Sequence, residues 1–162
     1  MTIQRTVLGP DHLQAIGRVA AQWALLEQSL HNVLWGLLDV PQRSGHAITA
    51  AVPSMNTKLH MLRSLAKETK RLSSDAKSNI KPLLTSVSDL QTDRNNIVHA
   101  TWSVSEKPGA FNRSKFTGWG EVKFHNQDMT ATEINQIADD IASLTGDLMD
   151  FAWENGLNPP LS

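Results

Sequence analysis

An arginine, an asparagine directly after it and a histidine five positions on are the side chains of this chain best suited to chemistry. They stand in Arg94-Asn95-Asn96-Ile97-Val98-His99, near the end of a long amphipathic stretch and just before Trp102. On a helix each residue advances about 100° and 1.5 Å. Asn95 and His99 then stack one turn apart, with Arg94 beside them across an arc of about 140°. The three can converge on one anion while the rest of the helix stays packed. Guanidinium grips phosphate oxygens at two points, and imidazole moves protons at neutral pH. The combination points to phosphodiester chemistry.

The elements that position these groups are legible as apolar periodicity. Gly9-Pro10-Asp11 opens a first helix, with Pro tolerated in its first turn. Leu13, Ile16, Ala20, Trp23, Glu27, Leu30, Leu34 and Leu37 follow in steps of three and four, a bundle-type seam with one charge in it. Pro41 ends that helix, and a short helical turn is expected around residues 45–52. A second long helix is expected over about 56–72, with Leu59, Leu62, Leu65 and Ala66 inward. Ser73-Ser74-Asp75 caps a third. Its seam is Ile80, Leu83, Val87, Leu90, Arg94, Ile97 and Thr101, and Pro82 should kink it or mark its true start. From about 103 to 128 the pattern changes. Turn signals at Lys107-Pro108-Gly109 and Gly118-Trp119-Gly120, and the alternation Glu121 to His125, predict a β-hairpin or meander. Thr130-Ala131-Thr132-Glu133 is a capping box. It launches a last helix with seam Ile134, Ile137, Ile141, Leu144, Leu148 and Phe151, stopped by Gly156 and Pro159-Pro160. The expected architecture is mainly α: an up-and-down four-helix bundle with a short β insert before the last helix, one domain over 1–162.

Arg94 through His99 match the Arg-polar-x-x-x-His motif of HEPN domains, small all-helical proteins that include many metal-independent ribonucleases. Trp23-Ala24-Leu25-Leu26-Glu27 resembles the Trp-x-x-x-Glu stretch on the first helix of several branches of that family, and Ile97 to Trp102 its motif-end signature. The similarity covers roughly 10–103 and 130–155 and leaves out the insert. It implies an endoribonuclease acting as a homodimer on single-stranded RNA, in a phage-defence or toxin–antitoxin setting. An antitoxin or a nucleotidyltransferase is then a partner to expect. The family also holds members that bind or scaffold without cutting, so a non-catalytic helical interaction module is the alternative.

Chemistry supports a dimer independently. RNA cleavage without metal needs a base for the 2′-hydroxyl proton, an acid for the leaving 5′-oxygen and positive charge on the phosphorane. One motif supplies one His; two protomers across a two-fold axis supply two. His99 is then base or acid, Arg94 the transition-state clamp and Asn95 a positioner. Glu27 and Arg94 are the two charges written into apolar seams, and each needs a partner or a wet cleft. Either they pair and fix register, or Glu27 orients Arg94 or His99 in a shared cleft. His31, one turn past Glu27, could join that network or form a surface ion pair. Glu27 and His31 are half of a helical metal site, but the carboxylate set a di-metal bundle needs is missing. No metal and no cofactor are expected.

Other candidates are weaker. Trp102 reads as an anchor for the helix end, and Trp119, between glycines, as an aromatic that stacks on a base. Lys67, Lys70 and Arg71 end the second helix, where cations suit the dipole and could steer phosphate. Asn112-Arg113-Ser114 is a chance glycosylation sequon, because no secretion signal precedes it.

Composition bounds these readings. At 162 residues, 40% apolar and 19% charged, the chain is ordinary globular material large enough for its own core. Absence of cysteine removes disulfides and thiolate metal sites. The N-terminus has no signal-peptide core and no run approaches a membrane span, so a soluble, cytoplasmic protein with no membrane partner is expected. A net charge of −1 hides an asymmetry. Residues 54–123 carry a net of +6 and the flanks −7, with seven acids and no Lys or Arg between Asp128 and Glu154. The basic middle third, which holds Arg94, is where a nucleic-acid backbone is attracted.

Overall fold

Among the described residues, five helices and three strands follow one another, with the β insert before the last helix as the periodicity suggests. The computed structural model describes residues 7–119 and 121–159, and the side chains of 116–124 are outside that description. The elements are α1 (Pro10–Leu38), α2 (Gln42–Ala50), α3 (Met55–Glu68), α4 (Ser74–Val98), β1 (Thr101–Val104), β2 (Ala110–Trp119), β3 (Glu121–Thr130) and α5 (Ala131–Glu154). The chain is mainly helical, with one small antiparallel sheet ordered β1-β2-β3. Among the described residues no helix is long and apolar enough to cross a membrane. The chain divides into two compact units, Met1–Trp23 with Leu90–Ile141, and Ala24–Asp89 with Ala142–Ser162.

The first unit holds the sheet, and the insert is a three-stranded meander that starts at Thr101, two residues earlier than expected. Trp102 donates its indole N–H to Ile97 O at 3.3 Å and so ties the first strand to the end of α4. That is the anchoring role its position suggested. The capping box is closed in both directions. Glu133 N–H donates to Thr130 Oγ1 at 3.2 Å, and Thr130 N–H to Glu133 Oε2 at 2.7 Å. The backbone N–H bond from Thr130, then its hydroxyl, hold the Glu133 carboxyl below the usual value.

The buried face of α1 differs from the expected seam in this unit. Ala15 and Val19 are fully buried, while Leu13 is 45% exposed. Ala20 is exposed and Ile16 only half-buried. Both ladders fit a helical period one residue apart, and His12 explains which one wins. Its Nε2 lies 3.2 Å from Met129 O and its ring packs edge-on against Phe111 at 4.6 Å. A polar ring with a strand partner is buried in place of the neighbouring leucine.

The second unit holds the largest apolar core, with Leu26, Leu30, Leu34, Leu59, Leu62, Leu84 and Leu148 all at or below 1% exposure. α2 is a full helix of nine residues where the sequence suggested a turn. Pro82 lies inside α4, so the helix begins at its Ser73 cap, whose Oγ accepts from Ala76 N–H at 3.1 Å. α3 stops at Glu68, four residues short of the expectation, yet Leu72 beyond it is buried. Gly156, at φ 62°, ends α5 while Leu157 N–H reaches back to Ala152 O at 2.9 Å, a left-handed closure that suits glycine. Leu157 is then carried onto Gly36, where an added Cβ would stand 1.9 Å from Leu157 O. That close approach fixes Gly36 in the last turn of α1 despite its low helix propensity.

Candidate active site

α4 delivers the motif from its last turn, and the geometry follows from helical spacing alone. Arg94 Nη1 donates to Asn95 Oδ1 at 3.0 Å and lies 3.0 Å from His99 Nε2. A guanidinium has no lone pair. In this contact His99 Nε2 is therefore the acceptor. His99 is exposed and Arg94 and Asn95 are half-buried. Within the same unit the Arg94 guanidinium lies over Trp23, with Cζ 5.9 Å from the ring centroid. Trp23 itself is 6% exposed. A cation–π pair of this kind contributes about 0.5–2 kcal/mol. Arg94 Nε is buried and has no hydrogen-bond partner among the described residues.

The three motif side chains thus converge as expected, and the seam position of Arg94 is explained by the indole beneath it. The sequence marked Trp23 as a core residue; nothing in its spacing revealed it as the platform for the arginine.

Glu27 has other partners. Lys58 Nζ donates to Glu27 Oε1 at 2.7 Å, and the Lys58 side chain is only 5% exposed against 34% for Glu27. His31 Nε2 stands 3.9 Å from the same oxygen. The seam charge of α1 is therefore answered by a lysine of α3 in the second unit, while the seam charge of α4 is answered by Asn95, His99 and Trp23 in the first. Each of the two seam charges thus has partners within its own unit. Burial first, then the Lys58 charge, push the His31 imidazole below its ordinary value, with Glu27 opposing. Lys58 is a functional-looking residue that periodicity could not single out, because a lysine on α3 reads as solvent-facing.

The cations at the end of α3 are also distributed differently from the expectation. Arg71 ion-pairs with Asp39 and reaches Gly156 O at 3.5 Å, a structural role in the second unit. Lys67 lines a basic groove with Arg63, Lys77 and Lys81, and its carbonyl accepts from Lys77 Nζ at 2.8 Å. Lys70 is exposed. The side chain of Trp119, the expected stacking aromatic, lies outside the described residues. No cluster of three His, Cys, Asp or Glu side chains among the described residues is placed to hold a metal ion.

A second polar cluster adjoins the motif. Lys115 Nζ donates to Asn96 Oδ1 at 3.1 Å, and Asn96, Arg113, Lys115 and His125 line a cleft of about 190 Å³. Burial lowers the Arg113 guanidinium's ordinary value while the Asp93 charge raises it. The sequence put Arg113, Lys115 and His125 in the β insert but gave no sign that they would adjoin the motif. No family model matches the chain, and no curated protein or solved structure matches it.

Proposed function

We propose that this chain is a metal-independent endoribonuclease of the HEPN type, an up-and-down helical bundle carrying the sheet as an insert and acting as a homodimer. The observation that carries the reading is the bond of Arg94 Nη1 to both Asn95 Oδ1 and His99 Nε2, 3.0 Å each. In the resting site the guanidinium occupies the lone pair a base would use. An incoming phosphate draws Arg94 onto its oxygens, and His99 Nε2 is released to take the 2′-hydroxyl proton. The unmade bond at Arg94 Nε favours that exchange, because a buried unpaired N–H costs about 1–3 kcal/mol. The 2′-oxygen attacks phosphorus, the 5′-oxygen leaves with a proton from the partner protomer's His99, which serves as the acid in its imidazolium form, and Arg94 stabilises the phosphorane. The products are a 2′,3′-cyclic phosphate and a 5′-hydroxyl. A phage-defence or toxin–antitoxin setting suits such an activity.

The test is single-turnover cleavage of labelled RNA by excess protein in EDTA. Wild type should cut and His99→Ala should not, with melting unchanged because His99 is exposed. An uncut RNA pool with wild type abandons the nuclease.

A second reading has one observation in its favour. Leu25, Met149 and Trp153 of the second unit are large apolar side chains left 57%, 59% and 76% exposed. A non-catalytic interaction module would use that surface, and it would retain partner binding when His99 is removed.

A further inference from the structure

The two faces of the sheet differ in how their polar groups are satisfied. On one face the side chains bond each other. Asn112 donates to Asp128 at 3.0 Å, and Ser114 donates to Asn126 at 2.7 Å and to Asn112 at 3.0 Å. Register puts Trp102, Arg113 and Gln127 side by side on the other face, and Lys115 opposite His125. This second face is cationic. Lys115 bonds the neutral amide of Asn96, and Arg113 donates to the neutral amide of Gln127. Asp93 offsets part of the Arg113 charge, which leaves the cleft net positive.

Asn96 joins that face to the catalytic turn. On α4 it precedes His99 by three residues, so the two are neighbours on the helix surface, about 4.5 Å apart along its axis. An anion lodged between Lys115, Arg113 and His125 would adjoin Asn96, the residue that stands about one turn before His99 on the helix. The cleft of about 190 Å³ is smaller than the roughly 300–1,000 Å³ of ordinary ligand pockets. A phosphate with part of its ribose fits such a volume, and a peptide helix does not.

We propose that Arg113, Lys115 and His125, with Asn96 as the hinge to the motif, form a phosphate subsite for single-stranded RNA flanking the scissile bond, so that the β insert is the substrate-holding part of the molecule. The assignment deepens the nuclease reading and rests on it only for the identity of the neighbouring phosphate. Arg113, Lys115 and His125 are positioning residues; none of them touches the reacting atoms.

The experiment measures binding and cleavage separately. Fluorescein-labelled mixed-sequence RNA is titrated with His99→Ala protein across a range of NaCl, and the same substitutions are placed in the cutting enzyme. Each cation withdrawn from a phosphate should lower the slope of log K against log salt by about 0.7 for a single strand. Arg113→Gln with Lys115→Gln should then bind about 25-fold more weakly at about 0.1 M salt, with the gap closing as salt rises. In the cutting enzyme the same pair should raise the half-saturating protein concentration and leave the saturated rate within about twofold. Lys115→Gln alone should cost about fivefold, and it serves if the half-buried Arg113 proves necessary for folding. Arg43→Gln removes the same charge as Lys115→Gln from an exposed position elsewhere and should leave affinity close to wild type.

Wild type that cuts, while the Arg113/Lys115 variant keeps both affinity and salt slope, overturns the subsite and leaves the nuclease standing. Wild type that binds with the expected loss in the variant but never cuts overturns the nuclease and leaves the subsite. A loss in the Arg43→Gln control equal to that of Lys115→Gln overturns the subsite, since net charge alone then accounts for binding. Absence of RNA binding alongside tight binding of polyglutamate also overturns it, in favour of an acidic protein partner.

Discussion

Replacing Glu27 by Gln should destabilise the protein by about 2 kcal/mol without slowing cleavage by folded molecules. Lys58 is 4% exposed and its ammonium bonds Glu27 Oε1 at 2.7 Å. Removing one partner of a fully buried pair costs about 3–5 kcal/mol, because the other charge stays behind uncompensated. Glu27 is about one third exposed, so water already screens its end of the pair, and the cost falls to about 2 kcal/mol. For a chain of this length that corresponds to roughly 4–8 °C in Tm. Lys58→Met removes the buried charge itself and leaves a carboxylate that water can reach, so it should cost less than about 1 kcal/mol. The double variant should melt close to Lys58→Met, well above Glu27→Gln. Thermal and urea melts of the four proteins measure the cycle, with single-turnover cleavage run beside them. Additive losses, or a Glu27→Gln protein that melts like wild type, would show that the pair does not behave as a buried unit. A fall in cleavage of about 10²–10³, the size expected when a clamp is removed, would return Glu27 to the reacting site.

Arg94→Lys keeps the charge but cannot bond Asn95 Oδ1 and His99 Nε2 in one plane while lying over Trp23. RNA binding should survive, and single-turnover cleavage should fall by about 10²–10³; undiminished cutting would remove Arg94 from the clamp role. Glu133→Gln tests the capping box through pH. Because the folded carboxyl is held below its ordinary value of 4.5, its stabilisation is present above that value and lost as pH falls through the lower folded one. The melting difference between wild type and Glu133→Gln should therefore be full at neutral pH and shrink in acid, and a difference independent of pH would sink the assignment. Gly36→Ala should cost about 1–3 kcal/mol by driving the added methyl into the Leu157 carbonyl, read as a drop in Tm; a neutral or stabilising alanine would mean the chain past Gly156 moves freely aside.

Local relationships were written in the sequence. The capping box at Thr130 and Glu133 and the convergence of Arg94, Asn95 and His99 all lie within a few residues, where helical geometry alone fixes who meets whom. The apolar seam of α5 was largely legible for the same reason, and so was the anchoring of Trp102 to the last turn of α4; in α4 Leu84 is buried in place of the expected Leu83, and Thr101 falls in β1. Partners distant along the chain were not. The sequence placed charges at Glu27 and Arg94 in apolar seams and required each to be answered, but tertiary packing chose Lys58, 31 residues from Glu27, and the indole of Trp23 for Arg94. Periodicity allowed two adjacent faces for the start of α1. The choice fell to His12, whose acceptor at Met129 O is 117 residues away. Strand register aligned Arg113 with Gln127 and Lys115 with His125, and only the fold brought that cationic face to Asn96. Spacing along one helix is dictated by covalent geometry, whereas the pairing of separate elements is settled by which packing buries the most apolar surface and leaves the fewest charges unanswered.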